Sequence, residues 1–443
     1  MRRAHIAAIV ALLGAAARCP AAEPDGTVTL SEIWSIHGQT TFTWQGYPSF
    51  HADFSGANSF EPRQQIRKTA DATLFLGARL ADGLAFYVNP EIDQGYGLSD
   101  TLGAAGFPSG EAYKIGHDAA YSRLPRAFLR YRLDLGGAAV NESAGANSLA
   151  ATHTEDNLTI TAGKFSVPDL FDGNKYAHDP KADFLNWSLI ESGAFDYAAD
   201  SWGYTFGAAA EWTQSWWTLR AGIFDLSVAP NSPQLEVGLH QYSAVAEAEE
   251  RHEWWAQPGA LKLLVFANRG RMGGYDDAVA QGAALGLPAA DTSRVRRYAT
   301  RPGAALDLQQ QLLGDLGVFA RASINDGSKE TFDFTDVNQS YAGGLSLQGT
   351  RWGRPDDVVG FAGVVNGLSA AARRYFSAGG LGLLIGDGAL PRYRPEKIVE
   401  TYYSLRPAEW AAVSLDVQFI DNPAYNAQRG PVTVFALRLH AEF

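Results

Sequence analysis

Pro431-Val-Thr-Val-Phe-Ala-Leu-Arg-Leu-His-Ala-Glu-Phe443 is the stretch whose reading decides the fold. Counting back by twos from Phe443 gives Ala441, Leu439, Leu437 and Phe435, all apolar. The interleaved positions are Glu442, His440 and Arg438. A period of two places the sets on opposite faces of one strand. A soluble protein can also end in an amphipathic strand, so the alternation needs a second signal beside it.

That signal is at the other end. Arg2 and Arg3 precede an unbroken apolar run from Ile6 to Ala17, and small residues follow. This is the form of a secretory signal peptide, expected to span 1–22 with cleavage after Ala17 or Ala22. The run holds about a dozen residues against the roughly 20 of a spanning helix, which disfavours a membrane anchor. Arg18 before Cys19 disfavours lipidation. An aromatic end on an alternating strand, behind an export signal, resembles the assembly signal of outer-membrane proteins. The domain expected from these ends is a barrel over residues 23–443, exported through the periplasm to the outer membrane of a Gram-negative bacterium.

Composition narrows the field. Cys19 is the single cysteine, so a disulfide framework and a cysteine metal site are excluded. Lys and Arg number 36 against 48 Asp and Glu; losing Arg2, Arg3 and Arg18 takes the charge from −12 to −15. Such an acidic chain is a poor nucleic-acid partner. Mean hydropathy is −0.15, and no later stretch is apolar enough for a transmembrane helix. A barrel strand shows lipid only every second side chain, so its signal is faint. Eleven Trp and 18 Tyr fit aromatic girdles at two interfaces, or else an ordinary aromatic core.

Alternation recurs throughout. Ala127, Leu129, Tyr131, Leu133 and Leu135 interleave with Arg126, Phe128, Arg130, Arg132 and Asp134. Similar patterns fill 71–80, 204–212, 217–224 and 411–419. Sixteen strands are expected, near 33–45, 66–80, 83–92, 123–135, 156–165, 202–213, 216–226, 239–250, 259–269, 302–312, 315–325, 339–349, 358–367, 397–405, 410–420 and 431–443. An even count suits an all-β, closed antiparallel transmembrane barrel, and sixteen strands leave an aqueous lumen. Connections 93–122 and 166–201 exceed the usual loop length and are rich in aromatic, Asn and Asp residues, as for loops folded into a barrel. A third insertion, 275–300, carries a short helix near Asp276–Leu285.

Particular runs then carry a family resemblance. They are Trp34-Ser-Ile-His-Gly-Gln-Thr-Thr-Phe-Thr-Trp-Gln45, Tyr87-Val-Asn-Pro-Glu91, Gly106-Phe-Pro-Ser-Gly-Glu111, Gly163-Lys-Phe-Ser-Val167, Phe184-Leu-Asn-Trp-Ser-Leu189 and Ala194-Phe-Asp-Tyr-Ala-Ala-Asp200. Tyr176-Ala-His-Asp-Pro180, Asn422-Pro-Ala-Tyr425 and Arg429-Gly-Pro-Val432 continue it. Over nearly the whole chain after residue 33, the sequence resembles the carbohydrate-selective porins (OprB-type). The resemblance implies a sixteen-stranded outer-membrane barrel admitting sugars by diffusion, without naming the sugar.

A sugar channel needs aromatic faces for the ring, and carboxylates, amides and Arg forks for the hydroxyls. Binding must stay weak enough for release. Alternation sends Tyr87, Asn89 and Glu91 to the lumen on one strand face, and Arg126, Arg130 and Arg132 on the next. The expected constriction sets this basic ladder against the acidic strand. Phe184, Asn186 and Trp187 of the long loop supply ring and hydroxyl contacts, and Asp179 holds the loop. The plainer alternative is that such pairs only brace the wall.

No HExxH, GxSxG or P-loop pattern occurs, so no catalytic residue, metal or cofactor is expected. Three functions fit the scaffold: a sugar-selective channel, with a general porin as its less selective form; a barrel hydrolase, for which His178, Asp179 and Ser188 form no recognisable set; and an adhesin or structural barrel. The partners expected are carbohydrate solutes, outer-membrane lipid and lipopolysaccharide, and the assembly machinery acting on the strand ending at Phe443. A homo-oligomer is compatible with all of this.

Overall fold

The computed structural model describes residues 32–334 and 336–443. The expected signal segment 1–22, with Cys19, lies outside them. Among the described residues the chain forms sixteen strands. They are β1 (Trp34–Tyr47), β2 (Gln65–Ala81), β3 (Leu84–Gly95), β4 (His117–Glu142), β5 (Ala151–Phe165), β6 (Thr205–Gln214), β7 (Trp217–Asp225) and β8 (Tyr242–Trp254). There follow β9 (Gln257–Met272), β10 (Arg297–Leu313), β11 (Leu316–Asn325), β12 (Gln339–Gly349), β13 (Arg354–Gly367), β14 (Glu396–Ala408), β15 (Ala411–Asp421) and β16 (Val432–Glu442). Each pairs antiparallel with its neighbours, and β16 closes on β1. Phe443 N donates to Gly38 O at 2.9 Å and Gly38 N to Phe443 O at 3.1 Å, extending the seam by one residue. Closure leaves no unpaired edge for lipid to meet.

The two strand faces divide opposite to a soluble domain. Leu129, Leu133, Leu219, Leu263, Phe361, Leu415 and Phe435 point outward and are exposed. Arg301, Arg321, Arg438, Glu400, Asn366 and Gln418 point inward and are buried. The outer surface is therefore an apolar band. Trp216, Trp254, Trp255, Trp352 and Trp410 cluster at the turns of one end, as an interfacial girdle requires.

Connections are unequal. Turns 82–83, 215–216, 255–256, 314–315 and 409–410 are tight. Loops 48–64, 96–116, 166–204, 226–241, 273–296, 326–338, 368–395 and 422–431 all leave the other end. Four of these, 48–64, 226–241, 326–338 and 368–395, go beyond the long connections that the sequence singles out. Helices Tyr275–Leu285 and Ala370–Ser377 pack through Tyr275 and Tyr375, with ring centroids 4.8 Å apart. Arg374 and Asp276 join them bidentately at 2.8 Å.

One local irregularity matters for the lumen. Asn89 pairs with Arg126, but Glu91 pairs with Arg123, so Pro90 faces both Leu124 and Pro125. Neither proline has an N–H for the ladder, and the extra residue becomes a bulge. The bulge reverses the inward parity of β4. Below it 126, 128, 130 and 132 point in; above it Arg123 does.

Candidate functional site: an off-centre lumen

Two loops fill most of the barrel. Glu400 accepts the N–H groups of Leu185 (2.5 Å) and Asn186 (2.9 Å). Glu396 accepts those of Ala105 (3.0 Å), Gly106 (2.7 Å) and Ala424 (2.9 Å). Arg321 pairs with Asp307 at 2.6 Å and donates to Leu189 O (2.7 Å) and Asp172 O (3.0 Å). Arg438 donates to Pro180 O and Ala182 O. Each charged strand residue thus satisfies loop backbone that water no longer reaches. Loops 96–116 and 166–204 are held against β10, β11, β14 and β16, and open space remains on the opposite wall.

That space is a cavity of about 350 Å³. Its strand wall is Gln39, Phe75, Glu91 and Arg126, from β1 to β4; the two loops supply most of the rest, joined by Phe334 and by Ala146 and Asn147 of the β4–β5 connection. Glu91 accepts from Thr73 Oγ1 (2.6 Å), Arg123 (2.5 Å) and Tyr113 OH (3.2 Å). Arg123 also pairs with Asp93 and lies 4.3 Å from the Tyr113 ring centroid. Arg126 forms a bidentate pair with Asp169 of the longer loop at 2.7 and 2.6 Å. Lys181 bridges Asp71 (2.9 Å) and Glu111 (2.7 Å). Burial works against its ammonium, but those carboxylates outweigh it and hold its pKa well above the ordinary value. Burial, with Asp172 beside it, pushes the Glu191 carboxyl well up; burial and Arg321 push His178 down.

The facing wall is aromatic. Trp187 stacks between Phe107 (5.1 Å) and Phe334 (4.6 Å), and Tyr197 lies 4.2 Å from Phe334. With both ring faces covered and 7% exposed, Trp187 presents only an edge to the cavity.

The site residues expected from sequence therefore fall into three groups. Glu91, Arg126, Asp179 and Trp187 line the central cavity. Tyr87, Arg130 and Arg132 line a second cavity of about 250 Å³ toward the short-turn end. There Arg130 donates to Asn147 O (2.9 Å) and lies 5.4 Å from the Tyr87 ring, while Arg132 pairs with Glu142 at 2.6 Å. Asn89, Phe184 and Asn186 are buried in packing. Phe184 sits between Phe319 (5.8 Å) and Tyr402 (5.0 Å). Asn186 donates to Gly106 O and Gln418 Oε1, both at 3.0 Å. Asp179 accepts from its own turn, at Lys181 N (2.8 Å). The basic ladder and Glu91 do not form one opposed pair. Arg123, the partner Glu91 takes, escapes strict alternation because of the bulge; Pro90 and Pro125 are the signal that locates it.

A sixteen-stranded closed barrel with polar, loop-filled lumen has known counterparts. The model of the carbohydrate-selective porin, OprB family, matches residues 57–443. The chain belongs to that family. This porin superposes on the structure of Pseudomonas putida OprB with a TM-score of 0.68, at 15% identity, covering 93% of this chain and 94% of that one. The outer-membrane channel DcaP of Acinetobacter baumannii follows at 0.50 and 10% identity, covering 93% and 97%. No curated protein sequence matches it. The porin is a passive, carbohydrate-selective channel of the Gram-negative outer membrane. Its loop-rich end is the outer one and its turns face the periplasm.

Proposed function

We propose that this porin passes neutral mono- and small oligosaccharides through the central cavity, between the paired charges of β3 and β4 and the aromatic edge of the loops. The observation that carries this is pairwise neutralisation. Arg123 is matched by Glu91 and Asp93, Arg126 by Asp169, and Lys181 by Asp71 and Glu111. An ion entering meets Arg123, Arg126 and Lys181 already matched by carboxylates. A sugar hydroxyl meets donors and acceptors that are already charged and fixed, and exchanges hydrogen bonds with them while staying weakly held. Trp187 and Phe107 set the width. Asp179 lines the path, and Tyr87, Arg130 and Arg132 line its exit; Asn89, Phe184 and Asn186 act by holding the walls.

In proteoliposomes a hexose is expected to enter faster than an amino acid or anion of similar size, and saturably. Arg126→Ala is expected to reduce that preference. Entry ordered by size alone, without saturation, would leave the channel a general porin and remove the selectivity assigned to this cavity. The same reading takes residues 1–22 as the export signal, the outward apolar band as the surface against lipid and lipopolysaccharide, and the β16 strand with Phe443 as the segment that assembly factors recognise.

A further inference from the structure

The second periplasmic connection differs from the others. β4 runs for 26 residues. Its pairing with β3 ends at Tyr131, and β6 leaves β5 at Asn157. Beyond those points β4 and β5 pair only with each other, as an arm outside the barrel wall. The arm is bent. Its register shifts on both sides of Gly136, and Gly136 and Gly137 take φ of +117° and +88°. A Cβ on Gly136 would meet nothing within 4 Å, so backbone conformation and not crowding calls for glycine there.

The bend returns the tip, 143–150, to the inner mouth. Glu32 N donates to Ala150 O (3.0 Å), and Ala150 N to Glu32 Oε2 (2.9 Å). Arg79 donates to Ala150 O (3.2 Å), Arg130 to Asn147 O (2.9 Å), and Arg132 pairs with Glu142 (2.6 Å). Leu149 is 3% exposed, in the same apolar cluster as Tyr87 and Ala85. Ala146 and Asn147 line the central cavity, whereas Glu142, Leu149 and Ala151 line the 250 Å³ inner one. The tip thus lies between the two cavities.

We infer that the β4–β5 arm is a second selectivity element, whose tip Ala146-Asn147-Ser148-Leu149 sorts solutes by size as they leave the central cavity, with Arg79, Arg130 and Arg132 seating it. The tip offers an amide, a hydroxyl and an apolar side chain, with no net charge, which suits a neutral polyhydroxylated solute. This rests on the central cavity being the path. A solute is then filtered twice, first by elements from the outer face and then by one from the periplasmic face.

Two variants test this in planar bilayers and liposomes. One replaces 137–155 by a two-residue turn like those at 215–216 and 255–256. Its single-channel conductance should rise several-fold, and disaccharide entry should rise relative to hexose. The other, Asn147→Cys, is treated with a bulky methanethiosulfonate. Conductance should fall by more than half, while the same reagent on Ala138→Cys, on the exposed arm, and on the unsubstituted porin changes nothing. Unaltered conductance and size dependence in the folded short-arm protein, or silent modification at 147, overturns the inference. If the short-arm protein does not fold, modification at 147 decides alone. Unsaturable sugar entry into liposomes bearing the unsubstituted porin would count against the sugar pathway instead, and the conductance readings would still report on the arm.

Discussion

At the scale of single residues, each strand position is committed to one of two media. Leu129 is 43% exposed on the outer face and Arg130 points into the lumen, one residue apart. An Arg at a lipid-facing midplane position costs about 2–4 kcal/mol in a barrel. Leu129→Arg is therefore expected to lower the heat-modifiable folded fraction much further than Arg130→Leu; equal losses would mean the faces are assigned in reverse. A finer constraint lies at the seam. A Cβ on Gly38 would come within 2.6 Å of the Phe443 ring, which packs on the outer face there. Gly38→Val should slow folding into detergent or lipid, and removing the ring in the double variant with Phe443→Ala should recover part of the rate. Additive losses would show that the ring and Gly38 are not in contact. Asp336 adds a pH dependence to the outer loops. Burial pushes its carboxyl up to about 7, against hydrogen bonds from Leu383 and Leu384. A folded pKa above the unfolded one means the protonated form stabilises: the contribution is full below the ordinary 3.8 and is lost as pH rises through about 7. Amides near 383 should exchange faster at pH 8 than at pH 5 after correction for intrinsic rates, and Asp336→Asn should flatten that difference.

At the scale of elements, the bulge in β4 decides what the cavity contains. With strict alternation Arg123 would share a face with Ala127 and Leu129 and meet lipid. The extra residue opposite Pro90 turns it inward, onto Glu91 and Asp93. Deleting Pro125 removes the extra residue and leaves Arg123 two positions from Arg126, so plain alternation then keeps Arg123 inward on Glu91. The expected result is folded yield close to that of the unsubstituted porin. A large loss that Arg123→Leu, made in the deletion background, restores would show that Arg123 had turned to lipid and that no bulge compensates the extra residue. The sixteen strands themselves were legible because each is long enough to show a period of two. The bulge was not, since it breaks that period, and only the two prolines mark it.

At the scale of the whole molecule, the pore is what the loops leave open. Glu396 and Glu400 of β14 each hold loop N–H groups through both carboxyl oxygens, and their loss leaves buried donors without partners. Glu396→Gln with Glu400→Gln should keep the barrel, whose strands pair independently of the loops, and release 96–116 and 166–204 from the far wall. Conductance is expected to rise and the preference for sugars over salts to fall. A folded double variant with unchanged selectivity would show the loops are held by their aromatic packing alone.

The amino-acid order by itself determined the class of fold, the strand number and, away from the β3–β4 bulge, the face that strand side chains take, because a two-residue period is a local property written along every strand. It also placed Glu91, Arg126, Asp179 and Trp187 in the lumen. Only the tertiary structure decided which lumen residues stay open. Phe184 and Asn186 have the composition of a sugar contact, yet loop packing buries them, while Arg130 and Arg132 line a separate cavity because the arm folds back over them. Those outcomes depend on how segments more than a hundred residues apart fill one closed volume, as Glu400 meeting Leu185 and Arg438 meeting Ala182 illustrate. No local pattern encodes that filling; it follows from burying loop backbone, which must find partners on whichever wall the closed sheet presents.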